Sequence, residues 1–284
     1  MKATGIGTER VGIELSATEE TPRAGEPSVA GVTLRHVLGS EWIKLRSVRS
    51  GRCSVAALGM SILLLGAFTA VGIVVKDNPP AAEAVMADPS GGALAGVSFF
   101  AQIAAITVGV LAVTGEYRNP MIRVSFAAVP RRLPLVWAKA GVVAAVTAIV
   151  SLVAVLLAFG ISSVVVATDG QSLSLSEPRL ARALFGAPVM LALTGVLATA
   201  VGWLVRSTAG AVSALVAVLY VLPSLAVALP EAVSRYLPNS AAAAVIQVNP
   251  LEAAPGRWTG LAVYAAYAAF TLAFAALAVR RRDA

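Results

Sequence analysis

The chain has 284 residues, of which 58% are apolar and only 13% charged, with a formal net charge of +7 and a mean hydropathy of +0.82. Water-soluble domains carry about 25% charged residues, so this composition excludes a soluble globular protein and defines an integral membrane protein. A single cysteine, Cys53, and a single histidine, His36, exclude a disulfide framework, a multi-cysteine metal site and a paired-histidine zinc motif.

Residues 1–31 are polar, rich in Gly, Pro, Glu and Thr, and without periodicity, so a disordered tail is expected there. No basic start is followed by an apolar run and a cleavage site, so no signal peptide is expected. Glu19 and Glu20 fall in this tail and read as solvated charges. From Val32 to Arg52 the pattern changes. Leu34, Leu38, Trp42, Leu45 and Val48 recur at helical spacing, with Arg35, Lys44, Arg46, Arg49 and Arg52 among them. That pattern predicts a basic amphipathic helix over 32–52 that lies in the headgroup layer, with Trp42, Lys44, Arg46 and Arg49 at the interface.

Six uncharged apolar segments follow, at about 53–75, 93–113, 140–167, 183–205, 209–229 and 258–279. About 20 residues suffice to cross the hydrocarbon, so each is read as a transmembrane helix. Cys53, at the start of the first, reads as a small buried hydrophobe. With the N-terminus inside, 17 of the 22 Lys and Arg fall on the cytoplasmic side and 5 on the other, while the acids divide 8 to 7. This asymmetry puts both termini in the cytoplasm of a multi-pass membrane protein. It also accounts for the basic excess without nucleic acid, because the charge follows topology along one membrane face.

Three connections carry further information. The loop Thr114–Lys139, TGEYRNPMIRVSFAAVPRRLPLVWAK, holds Arg118, Arg123, Arg131, Arg132 and Lys139 against the single acid Glu116. Asn119 and Pro120 make a good helix start and Pro130 a stop, so a short helix is predicted over Pro120–Val129 with Ile122, Phe126 and Val129 on one face. The fourth and fifth spans are joined by Arg206-Ser207-Thr208 alone, a tight hairpin. Pro230–Arg257 holds the apolar run Ala241–Val248 between Pro238-Asn239 and Asn249-Pro250, too short to cross and return. It reads either as a short helix that dips into the bilayer from outside or as a surface helix on the outer leaflet.

No catalytic constellation emerges. A Ser–His–Asp arrangement would need His36, in the lead-in helix; no GxxxxGK[ST] phosphate loop occurs; and the spans hold no Asp, Glu, Lys or Arg to mark an ion path. Gln102 is the most polar side chain within the second segment, and its default role is helix packing. Ion-driven secondary transport is therefore disfavoured, and the energy for any transport must come from outside the chain.

SEWIKLRSVRS (Ser40–Ser50) before the first span and TGEYRNPMIRVSFAAVPRRLPLVWAK after the second together resemble the permease subunits of ABC-2 type transporters, especially the actinobacterial kind, over residues 33–279. The resemblance implies an all-α integral membrane fold of six transmembrane helices within a domain spanning 32–284. It implies an N-terminal interfacial helix at 32–52, a cytoplasmic coupling helix within Glu116–Arg132 and extracytoplasmic re-entrant helices at Pro230–Arg257. The ATPase-coupling loop would then consist of Glu116, Tyr117, Arg118, Arg123, Phe126, Arg131 and Arg132. Glu116, Tyr117 and Arg118 would anchor its base, and Arg131 and Arg132 would hold lipid phosphate or partner acids; the last two also read as plain positive-inside anchors. Where such permeases commonly carry a small-Gly-Thr run after GEYR, this chain has Asn119-Pro120-Met121.

The implied function is an ATP-driven exporter of a lipophilic or drug-like substrate in the bacterial plasma membrane, not an enzyme in itself. This chain would hold no cofactor. ATP would bind a separate ABC ATP-binding subunit, and a second permease would complete a homo- or heterodimer in the lipid bilayer. The alternative is a non-transporting membrane-embedded binding or anchoring protein.

Overall fold

Runs of Ala, Val and Leu without charge leave the backbone no partner but itself in hydrocarbon, and helices satisfy it internally. The computed structural model describes residues 33–74, 97–118, 132–167, 178–225, 230–247 and 255–281, and among them there is helix and no strand. The tail expected over 1–31 and the coupling helix expected at Pro120–Val129, with Arg123, Phe126 and Arg131, lie outside the described residues.

In chain order the helices are α1 (Leu34–Ser47), α2 (Arg49–Val74), a π-helical turn (Val97–Ala101) running into α3 (Gln102–Arg118), and α4 (Arg132–Ala167). Then come α5 (Pro178–Val205), α6 (Thr208–Val216), a second π-helical turn (Ala217–Val221) continued by α7 (Leu222–Leu225), α8 (Glu231–Ser234), α9 (Pro238–Ile246) and α10 (Arg257–Arg281). Among the described residues six stretches are long and apolar enough to cross a membrane: Arg49–Ala67, Phe99–Arg118, Leu133–Val165, Leu180–Val205, Thr208–Leu225 and Arg257–Arg281.

α5 is the hub, packing against α3, α4, α6, α9 and α10, while α2 packs on α4. Small residues let backbones close in where no hydrophobic force drives helices together in lipid. A Cβ on Gly109 of α3 would lie 2.5 Å from the carbonyl oxygen of Gly195 on α5, so only glycine fits that crossing. α9 is seated the same way. A Cβ on Gly186 of α5 or on Gly260 of α10 would come within 2.8 Å of an α9 carbonyl, that of Val245 or of Ala241. Ala241, Ala242, Ala244, Val245 and Ile246 are accordingly buried.

The hairpin expected between the fourth and fifth spans closes in two residues. Arg206 takes the left-handed conformation (φ 59°) normally left to glycine after a helix, and its N–H donates to the Gly202 carbonyl at 2.9 Å. Such a backbone costs a side-chain-bearing residue about 1–2 kcal/mol. Ser207 then caps α6, its hydroxyl accepting from the Gly210 N–H at 3.4 Å.

Two apolar clusters fill the bundle. The larger joins α2, α3, α4, α5, α6, α9 and α10 around Ile62, Ile106, Leu191, Leu215 and Tyr264. The smaller gathers about Trp203 of α5 and brings in Val37 of α1, Val113 of α3, Leu135 of α4 and Leu272 of α10. That second cluster binds the lead-in helix to the bundle.

α1 ends at Ser47, and Val48 is extended (φ −79°, ψ 128°) before α2 starts at Arg49, so helix is interrupted once within 32–52. Most of the predicted apolar stripe does not face the protein: Leu34, Leu38 and Trp42 of α1 and Val48 just after it are exposed, Leu45 is half-buried, and the buried residues of α1 are Val37 and Glu41. An exposed apolar face opposite a protein-packed one suits a helix at a lipid boundary. Cys53 is exposed on α2 rather than buried.

Candidate functional site

A glutamate buried in an apolar cluster needs compensation, and Glu41 on α1 is only 3% exposed. Its partners come from α1 and α4, and they reach on to α3. Lys139 of α4 donates from Nζ to Glu41 Oε2, to Glu116 Oε1 at 2.8 Å and to the Ala112 carbonyl at 3.0 Å, so all three of its protons are used. Lys44 of α1 donates to Glu41 Oε1 at 2.6 Å and to Glu116 Oε1 at 3.2 Å. Two carboxylates and two ammonium groups thus form a neutral knot joining α1, the end of α3 and the start of α4. Glu116 is 7% exposed, and its second oxygen, Oε2, has no hydrogen-bond partner among the described residues.

Burial by itself would lower the Lys44 pKa, but the hydrogen bond and charge of Glu41, followed by the charge and hydrogen bond of Glu116, outweigh it and leave the pKa above the ordinary 10.5.

Beside the knot is a cavity of about 310 Å³, with Glu41, Lys44, Glu116 and Lys139 on its polar side and Leu45, Val48, Val108 and Val142 on its apolar side. Gly115 and the exposed Arg118 also line it. Next to it Tyr117 packs edge-to-face on Trp203, ring centroids 6.0 Å apart, and the Arg206 guanidinium lies 5.4 Å from the Tyr117 ring centroid. The base of the basic loop is therefore tied to the α5–α6 hairpin by edge-to-face rings and to α1 by ions.

Of the residues read as a coupling loop, Glu116, Tyr117 and Arg118 form the last turn of α3, and Glu116 and Tyr117 make the contacts just given. Arg132 opens α4, and its side chain is not among those described. Of the interfacial set, Lys44 joins the knot, while Trp42, Arg46 and Arg49 are exposed. Glu41 and Lys139 carry the knot as much as Glu116 and Lys44; the i,i+3 spacing of Glu41 to Lys44 hints at Glu41 alone, and Lys139 stands out in sequence only as one cation of the basic loop.

A second polar group lies 14 residues back along α3, about 21 Å away and on nearly the same face. Tyr220 donates to Gln102 Oε1 at 2.8 Å, Gln102 Nε2 donates to the Tyr264 hydroxyl at 3.3 Å, and the hydroxyls of Tyr264 and Thr194 are 2.8 Å apart. Thr194 donates to the Met190 carbonyl at 2.9 Å, so the proton between the two hydroxyls belongs to Tyr264. This directed, uncharged chain joins α3, the second π-helical turn, α10 and α5. It starts where the two π-helical turns meet, with the Phe99 and Tyr220 rings 4.9 Å apart.

Among the described residues no group of three or more His, Cys, Asp or Glu is placed to hold a metal ion. Comparison with protein-family models, curated proteins and solved structures finds no match.

Proposed function

We propose that the chain is the transmembrane permease subunit of an ATP-driven transporter of the ABC-2 type. In this reading it exports a lipophilic or drug-like substrate, pairs with a second permease and takes its energy from separate ATP-binding subunits. The observation that carries the proposal is the ionic knot. Residues 119–131 connect α3 to α4, and the knot locks the end of α3, the start of α4 and the lead-in helix α1 to one another. A push on that connection, where an ATPase would dock, is delivered to three helices as one body. The edge-to-face contact of Tyr117 with Trp203, with Arg206 against it, carries the same push to the α5–α6 hairpin.

The end bearing the knot is then the cytoplasmic side of a bacterial plasma membrane, with both termini inside. α9, enclosed by α5 and α10 on the approach to the last span, takes the place of a re-entrant helix, since its buried backbone is tolerable at membrane depth. Nucleotide-driven closure shifts the bundle between alternative arrangements.

Purification of the full chain from its native membrane tests this. A permease brings down an ABC ATPase, and Phe126→Ala or Arg123→Ala uncouples ATP hydrolysis from transport. A chain that purifies without an ATPase, with a hydrolysis rate indifferent to both changes, is instead a membrane-embedded anchor or binding protein.

A further inference from the structure

The knot leaves one polar atom unsatisfied in a place where that is costly. Glu116 Oε1 accepts from both Lys44 and Lys139, whereas Oε2 of the same buried carboxylate accepts from nothing among the described residues. Glu116 lines the cavity of about 310 Å³, a volume within the range of small-molecule sites (about 300–1,000 Å³). An N–H or O–H donor is what this wall lacks.

Charge narrows the ligand further. Glu41, Glu116, Lys44 and Lys139 sum to zero, and Arg118 on the cavity wall adds one positive charge with no ion-pair partner among the described residues. A bare amine would satisfy Oε2 but raise the local charge to two. An anion would satisfy Arg118 but leave Oε2 without a donor. A group with an ammonium at one end and a phosphate at the other satisfies both at no net charge. Val48, Val108 and Val142 give the rest of such a molecule an apolar wall.

We propose that this cavity binds a zwitterionic aminophosphate headgroup, its primary ammonium donating to Glu116 Oε2 and its phosphate facing Arg118. The site stands independently of the export reading, because it needs only the knot and the cavity. A methylated headgroup has no N–H to donate, so phosphatidylcholine is the matched control for phosphatidylethanolamine.

Gly115 provides a substitution that spares the fold. It lines the cavity, and a Cβ built on it meets nothing within 4 Å, so Gly115→Leu starts its side chain in open space and favours helix. The full chain, with any subunit that purifies with it, is reconstituted in nanodiscs holding equal amounts of the two lipids with matched acyl chains. It is then released into detergent, and its retained lipids are counted by native mass spectrometry. One charge-assisted hydrogen bond predicts about tenfold retention of phosphatidylethanolamine over phosphatidylcholine. Gly115→Leu, with an unchanged melting temperature, erases the preference, and so does Glu116→Gln.

The source of the headgroup is read in the same samples. A preference that millimolar phosphoethanolamine does not displace marks the bilayer lipid as the ligand. A melting-temperature rise with phosphoethanolamine, lost in Gly115→Leu and without any lipid preference, marks a soluble one. Equal retention of both lipids with no response to phosphoethanolamine overturns the site, as does a preference that Gly115→Leu leaves intact.

Discussion

Helix α3 carries two polar clusters on nearly one face, and they are built from opposite materials. Around Glu116, at its end, four full charges meet. Around Gln102, almost four turns back, an amide and three hydroxyls do the joining and no charge takes part. The difference follows from what each place can tolerate. A charge at the centre of a span costs about 2.5–3.5 kcal/mol or more, while lysines near a helix end reach toward the interface. The ionic cluster can bind strongly but fails badly when one member is lost. The neutral one holds more weakly and survives the loss of a link.

The largest break comes from Lys139→Met, which leaves Glu41 and Glu116 buried and facing each other with only Lys44 between them. It is expected to cost about 3–5 kcal/mol, read as a fall in thermal stability in detergent. Pairing it with Glu116→Gln restores charge balance, so the double variant loses clearly less than the sum of the two single losses. Additive losses would mean that the four groups do not act as one unit.

In the neutral cluster Tyr264→Phe removes the hydroxyl that both accepts from Gln102 and donates to Thr194. The expected loss is about 0.6–2 kcal/mol by the same measurement, the range for hydrogen bonds between membrane helices. A loss as large as that of Lys139→Met would erase the contrast drawn above.

The smallest effect is in pH. The Lys44 pKa in the folded protein lies above 10.5, so the folded state holds that proton more tightly than the unfolded chain does. Its contribution is complete below 10.5 and disappears only as pH rises through the folded value. Melting temperature against pH is therefore expected to show an alkaline decline that Lys44→Met flattens; an unchanged decline would assign it to another group.

The same contrast explains what could be read from the sequence. Six spans are legible because an uncharged run of about 20 residues encodes its own environment. The two-residue hairpin at Arg206-Ser207 is legible from the short gap between two such runs. Partners across helices are not, because Glu116 meets Lys44 72 positions away and Lys139 meets Glu41 98 positions away, and no local pattern records that register. Gln102 stands out as the most polar residue of its span, yet nothing in the chain links it to Tyr264, 162 positions on. The period of α1 is visible, but not which side would meet protein. Its stripe of Leu34, Leu38 and Trp42 faces outward, and Glu41 faces in because two lysines await it.

The uncharged make-up of the inner cluster has an electrical consequence. A potential of 100 mV does about 2.3 kcal/mol of work on each elementary charge that crosses the membrane. Gln102, Thr194, Tyr220 and Tyr264 offer it no charge to move, and the four ions at the far end of α3 sum to zero. A shift of Gln102, Thr194, Tyr220 and Tyr264 alone would therefore feel no membrane potential.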